Sequence, residues 1–165
     1  MACLKLVVMR HGMAADHPPA GGGDHARPLT SAGIRATRQQ GKELARLGWI
    51  PDRIHCSDAR RAVMTLESML EGLSADVATE MEPGFYSAVA SDIVGTLAGA
   101  SGETLMVIGH NPCLSELVSW LSVGFHGLRP GDVALLRMDG TGQDWTGLAG
   151  TAGDWQLEKM IPAGG

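Results

Sequence analysis

Cys3-Leu4-Lys5-Leu6-Val7-Val8-Met9-Arg10-His11-Gly12 is a nearly unbroken apolar run that halts on two basic side chains and a glycine. A strand wetted on one face alternates apolar and polar residues. A run without alternation predicts a strand covered on both faces, as in a parallel sheet with helices above and below. The pattern recurs along the chain. Pro51 to Cys56 predicts a second strand ending at Ser57, and a helix follows from near Asp58 to about Glu71. Thr104 to Ile108 predicts a further strand, after which Gly109-His110-Asn111-Pro112 opens a helix reaching Leu121.

Working outward, the stretch from Arg10 to Thr30 holds Pro18-Pro19, Gly21-Gly22-Gly23 and Pro28 and is expected to be irregular. Thr30 or Ser31 caps a helix to about Leu47, with Ile34, Leu44 and Leu47 inward and Gly48 as the stop. A weaker strand is expected from Asp76 to Thr79 and a helix from Ser87 to Ala98. Val133 to Met138 and Trp155 to Ile161 supply two last strands, joined by a Gly- and Thr-rich connection from Asp139 to Asp154. Strands alternating with helices of these lengths predict an α/β fold, a three-layer α/β/α sandwich around a mostly parallel central sheet. With no repeat, charge block or linker, residues 1–165 are expected to form a single domain.

Composition narrows the function classes. A net charge of −5 disfavours a broad nucleic-acid surface, so any basic site must be local. The apolar runs are too short to span a bilayer, so no membrane partner is expected, and the first nine residues lack the features of a secretory signal. Cys3, Cys56 and Cys113 are odd in number and widely spaced, which suggests neither a disulfide framework nor a metal knuckle and fits the cytoplasm. His17, His25, His55 and His126 show no metal-ligand spacing, so no metal or other cofactor is expected. Trp49, Trp120, Trp145 and Trp155 are scattered and read as packing residues at element ends.

Open α/β sheets bind ligands beyond the carboxyl ends of their strands. Arg10-His11-Gly12, Ser57 to Ala62 and Gly109-His110-Asn111-Pro112 all fall there. Their convergence would bring two imidazoles, arginines and two helix amino termini to one sheet edge, which describes an anion site with a candidate nucleophile. Any one of these groups alone would read as a surface or capping residue; the three in register with successive strand ends carry the inference.

This ordered set resembles the histidine phosphatase superfamily, the phosphoglycerate-mutase-like group. Arg10-His11-Gly12 matches its first motif. Ser57, Arg61, Ala62 and Thr65 match Ser-x-x-x-Arg-Ala-x-x-Thr, and Gly109-His110-Asn111 matches the third motif. The short length, the phrase Arg27-Pro28-Leu29-Thr30 with Gly33 following, and Gly109-His110-Asn111-Pro112 look like the SixA-type phosphohistidine phosphatases. The resemblance implies that His11 is the nucleophile, transiently phosphorylated, and that Arg10, Arg61 and His110 bind and stabilise the phosphoryl group. Nearby guanidinium groups disfavour imidazolium, which agrees with a neutral, nucleophilic His11. Asn111 is a further phosphate contact through its backbone N–H, and Arg27 is either a fourth cation folding over the phosphate or a solvated loop charge. Between Arg60 and Arg61, spacing selects Arg61, which shares a helix face with Thr65. Ser57 reads as a helix cap.

Larger members of the superfamily take a general acid from a carboxylate after the third strand or from an inserted cap. The candidates are Glu80 and Glu82, each alternatively a solvated carboxylate, and the chain leaves no room for a substantial cap. Phe85 and Tyr86 either line the pocket or pack at its rim. A phosphohistidine substrate would ease the need for an acid, because a protonated imidazole leaves more readily than an alkoxide. The expected activity is therefore a metal-independent phosphatase acting on protein phosphohistidine. The rivals are a phosphomonoesterase for small molecules, a noncatalytic phosphate-binding module and, with least support, a mutase.

Overall fold

The computed structural model describes residues 3–140 and 144–164; Thr141 to Gln143 of the expected 139–154 connection, and Met1 and Ala2 of the amino-terminal run, lie outside them. The strands and helices arise within a few residues of where the sequence places them, with the largest shifts at the third strand and the third helix. They are β1 (Cys3–Arg10), α1 (Ser31–Leu47), β2 (Arg53–Ser57), α2 (Arg60–Leu73), β3 (Ala78–Glu82) and β4 (Thr104–Gly109), with α3 (Ala90–Ala98) preceding β4. The chain continues through α4 (Cys113–Leu121), β5 (Val133–Asp139) and β6 (Gln156–Ile161). Short 3-10 turns occupy Asp24–Ala26, Pro83–Ser87 and Trp145–Gly150.

The six strands form one sheet in the order β3-β2-β4-β1-β5-β6. β3, β2, β4 and β1 run parallel, and β5 is antiparallel to both β1 and β6. β1 is central and covered on both faces, as its composition requires. Leu4, Leu6 and Val8 point into a core shared with α3 and α4, whereas Val7 and Met9 point into a second core shared with α1 and α2. Those two apolar layers make the three-layer sandwich, each fully buried Leu, Ile or Met contributing ~1.5–3 kcal/mol. Trp145 and Trp155 stack at 5.7 Å in the first core, with their indole N–H groups donated to Gly102 O and Thr151 Oγ1. Among the described residues no connection builds a separate cap, and no helix is long and apolar enough to cross a membrane.

The structure corrects some local expectations. On α1, Leu44 is fully buried but Ile34 and Leu47 are only half-buried, because α1 meets α2 through small residues instead. Gly41 lies against Met69 O and Gly72 against Arg38 O, so closely that neither position has room for a Cβ. β3 begins at Ala78 and continues to Glu82, since its parallel partner β2 offers pairing as far as Ser57. Pro83 and Gly84 then form a 3-10 turn, which delays α3 from Ser87 to Ala90. Gln40 ties the layers together: its amide donates to Gly131 O and Ile161 O at 2.9 and 2.8 Å.

Candidate active site

The parallel register of β1, β2 and β4 decides where the basic residues meet. Arg10 lies beside Gly109 and Cys56 beside Ile108, so His11, Ser57 and His110 emerge together at one sheet edge. His11, Arg61 and His110 are all buried, and the two imidazole rings stand 5.3 Å apart. Arg61 Nε donates to His11 Nε2 at 3.3 Å. The three separate strand ends thus converge on one cluster.

Local structure explains each side chain. Gly12 is required because a Cβ there would lie 2.7 Å from Thr37 Cγ2. Its N–H donates to Thr65 Oγ1 at 3.0 Å, and the Thr65 hydroxyl donates to Arg61 O at 2.7 Å. Thr65 therefore fastens the His11-Gly12 turn to the helix that carries Arg61, a physical reason for the four-residue spacing between Arg61 and Thr65. His11 Nδ1 lies 2.8 Å from Gly12 O, a pairing only an N–H can make, so Nε2 keeps its lone pair. Burial, joined by His110, Arg61 and Arg10, pushes the His11 imidazole down to about 3 despite the opposing bond to Gly12. It is neutral at pH 7.

His110 is held differently. Its Nε2 lies 2.8 Å from Ser57 Oγ, which itself accepts from the Ala59 N–H at 3.2 Å. In the tautomer in which the Ser57 hydroxyl donates to Nε2, Nδ1 carries the N–H. Nδ1 is buried without a partner among the described residues, as is Arg10 Nε. Burial first, then Arg61, lowers the His110 imidazole to about 4. Ser57 thus orients an imidazole as well as accepting a bond at the start of α2, a role that sequence spacing did not disclose. Arg10 Nη1 and Asn111 Nδ2 both donate to Leu128 O, at 3.0 and 2.7 Å, which anchors the first and third motifs to one loop carbonyl. Asn111 Oδ1 also accepts from the Ser115 N–H and hydroxyl in α4.

Arg27 reaches the cluster only through a carboxylate. Its Nε donates to Asp24 Oδ1 at 2.9 Å, and its Nη1 to Ala15 O at 2.9 Å. Asp24 was not singled out by sequence, although it stands three residues before Arg27. Its backbone oxygen accepts from Arg61 Nη1 at 2.9 Å, and its Oδ2 accepts from Arg61 Nη2 at 3.2 Å and from the Tyr86 hydroxyl. The loop expected to be irregular is docked by these bonds and by His25 Nε2 against Asp58 Oδ1 at 3.0 Å. Tyr86 lies at the rim, its ring 5.6 Å from that of His110, whereas Phe85 is buried in the core. Arg60 is exposed.

Glu80 and Glu82 are engaged elsewhere. Both lie on β3, where Glu80 pairs with Arg53 and Glu82 with His55 Nδ1, each at 3.0 Å. Neither is hydrogen-bonded to His11, Arg61 or His110. Among the described residues no group of three or more His, Cys, Asp or Glu is poised to hold a metal.

The family model for the histidine phosphatase superfamily (branch 1) matches residues 6–85, which span the first two motifs. An uncharacterized chloroplastic protein of Arabidopsis thaliana is 30% identical over 149 residues, covering 84% of this chain and 68% of its own. The chain belongs to the histidine phosphatase superfamily. Its fold is shared with a candidate phosphohistidine phosphatase SixA from Nakamurella multipartitia, at TM-score 0.82 and 25% identity over 100% of this chain and 99% of that one. The protein histidine phosphatase SixA complexed with tungstate has the same fold at TM-score 0.78 and 22% identity, covering 96% of this chain and 97% of that one. As a superfamily member with such neighbours, the chain is supported as a phosphatase that takes a phosphorylated substrate.

Proposed function

We propose that this chain, folded as one domain, is a metal-independent cytoplasmic phosphatase that hydrolyses protein phosphohistidine through a phosphorylated His11. The observation that carries the reading is the state of His11: buried, neutral, with Nδ1–H committed to Gly12 O and the Nε2 lone pair turned toward Arg61. In the first step Nε2 attacks phosphorus and the bond from phosphorus to the substrate breaks, its electron pair leaving with the substrate. In the second, water attacks phosphorus, the P–Nε2 bond returns its pair to His11, and phosphate departs. Charge on the transferring oxygens is met by Arg10, Arg61 and the His110 Nδ1–H, with the Asn111 backbone N–H beside them. Arg27 contributes by holding Asp24 rather than by reaching the phosphate directly.

The choice of substrate rests on what the leaving group needs. An alkoxide requires a proton, and Glu80 and Glu82 each give one oxygen to Arg53 and His55, with no bond to His11, Arg61 or His110. Asp24, lying closer, is ionised: the Tyr86 hydroxyl above all, then Arg27 and Arg61, hold its carboxyl at about 2. A phosphohistidine needs no such donor, since its imidazolium leaves as neutral imidazole. The absence of a cap among the described residues leaves a mouth open to a protein.

The test is rapid-quench labelling with a phosphohistidine-bearing protein and a panel of phosphomonoesters. Acid-labile label on His11, loss of turnover in His11→Ala and indifference to chelators are expected. Faster turnover of a small phosphomonoester would replace the substrate assignment, and full activity in His11→Ala would remove the mechanism. Phosphate binding without release of product would leave only a binding module.

A further inference from the structure

We propose that Asp24 is a specificity-determining residue that reads the leaving group, its carboxylate accepting the N–H of a departing imidazole. The inference rests on the phosphohistidine reading above and gives it a residue. Asp24 sits between the phosphate-binding cations and solvent: its side chain is 53% exposed, that of Arg61 only 7%. A substrate whose phosphorus reaches His11 must leave its remaining atoms on the solvent side, against Asp24.

The carboxylate has an acceptor position to offer. An ionised carboxylate accepts at about four sites, and the side chain of Asp24 uses three, for Arg27, Arg61 and Tyr86. The neighbouring surface is aromatic. The Tyr86 ring packs edge-on with His25 at 4.9 Å and with His110 at 5.6 Å, a wall suited to a flat ring. A fixed negative charge beside an aromatic wall favours an imidazolium and repels a leaving group that carries its own carboxylate.

The chemistry balances without an added acid. The substrate imidazolium carries phosphorus on one nitrogen and hydrogen on the other. As His11 Nε2 forms its bond to phosphorus, the substrate P–N bond breaks and its pair returns to the ring, which departs as neutral imidazole. The second nitrogen keeps its hydrogen, directed at Asp24, throughout. The same carboxylate, lacking a proton, gives nothing to an alkoxide.

The experiment compares wild type, Asp24→Asn and Asp24→Glu by kcat/KM on a phosphohistidine peptide, 4-nitrophenyl phosphate and a phosphomonoester bearing a carboxylate next to its phosphate. Loss of a bond to a charged acceptor predicts that the Asn variant lowers the ratio of phosphohistidine to 4-nitrophenyl phosphate by about ten- to a hundredfold. The carboxylate-bearing ester should gain in the same variant, and Asp24→Glu should restore part of the ratio. Equal loss on all three substrates would assign Asp24 to loop structure and overturn the role. A wild type that prefers phosphohistidine together with an unchanged ratio in Asp24→Asn would overturn this role alone. A wild type that ignores phosphohistidine would overturn the proposed function itself, and this role with it.

Discussion

Acidification should destabilise the ligand-free chain in a way that reports directly on the two buried imidazoles. A histidine unfolded in water titrates near 6.5, whereas His11 and His110 are pushed down to about 3 and about 4 in the fold. Between those limits the unfolded chain binds protons that the native chain refuses, so stability falls as pH falls below about 6.5 and is unaffected by these groups above it. One pH unit across that window costs about 1.4 kcal/mol per imidazole. From pH 6.5 to 4.5, where the unfolded imidazole starts half protonated, His11 alone therefore removes about 2 kcal/mol, and the pair up to about 4 once solvent screening at the less enclosed His110 is discounted. Against a typical stability of about 5–15 kcal/mol this is a large fraction.

The assay is urea unfolding at half-unit pH steps, read as the difference between wild type and His11→Asn. Carboxylates that lose their ion pairs in acid contribute equally to both chains and cancel in that difference. The Asn variant keeps a donor for Gly12 O but cannot titrate, so its stability curve should be shallower by about 1.4 kcal/mol per pH unit below 6.5. Parallel curves would mean that His11 takes up its proton in the fold as readily as in water. That result would refute both its burial as the cause of the shift and the neutral nucleophile built on it.

Four further outcomes follow from named contacts. Ser57→Ala should free the His110 tautomer and lower kcat by about tenfold with little change in KM, and nitrogen NMR of the imidazole should show a shift in tautomer. Gly72→Ala must push Arg38 O and α1 away and should cost about 2–4 kcal/mol in denaturant unfolding, more than an ordinary surface substitution. Gln40→Leu strands the Gly131 and Ile161 carbonyls and should cost about 2 kcal/mol or more, measured the same way. Glu80→Gln and Glu82→Gln should each retain turnover of phosphohistidine to within about twofold, whereas a steep loss would return one of them to the role of acid.

The fold was legible because its signal is chemical and local. The run from Leu4 to Met9 lacks polar alternation, and a strand of that kind has few places to lie other than the centre of a layered α/β sheet. The same argument located the cluster, since parallel strands end at one edge and the basic residues follow three such ends. Edges were harder. β3 is mostly exposed and gains its extent from pairing with β2, so its sequence carries little apolar signal and its last residues read as loop. The α1 to α2 contact was hidden for a related reason: Gly41 and Gly72 contribute closeness, which a search for large apolar residues passes over.

The least legible residues are those whose meaning is relational. Ser57 reads as a cap from its neighbours in sequence, and only the crossing of β4 beside β2 supplies the imidazole 2.8 Å from its hydroxyl. Asp24 is one polar residue in a Gly- and Pro-rich loop until the fold sets Arg27, Arg61 and Tyr86 around it. Of these, Arg61 and Arg27 were visible as cations in search of an anion, and Tyr86 as a rim residue. A buried guanidinium such as Arg61 needs a counter-charge, and a loop rich in turn residues is the part of the chain free to bring one. The carboxylate that meets that need stands on the solvent side of Arg61, so in the proposed role one side chain both balances a buried cation and filters the substrate.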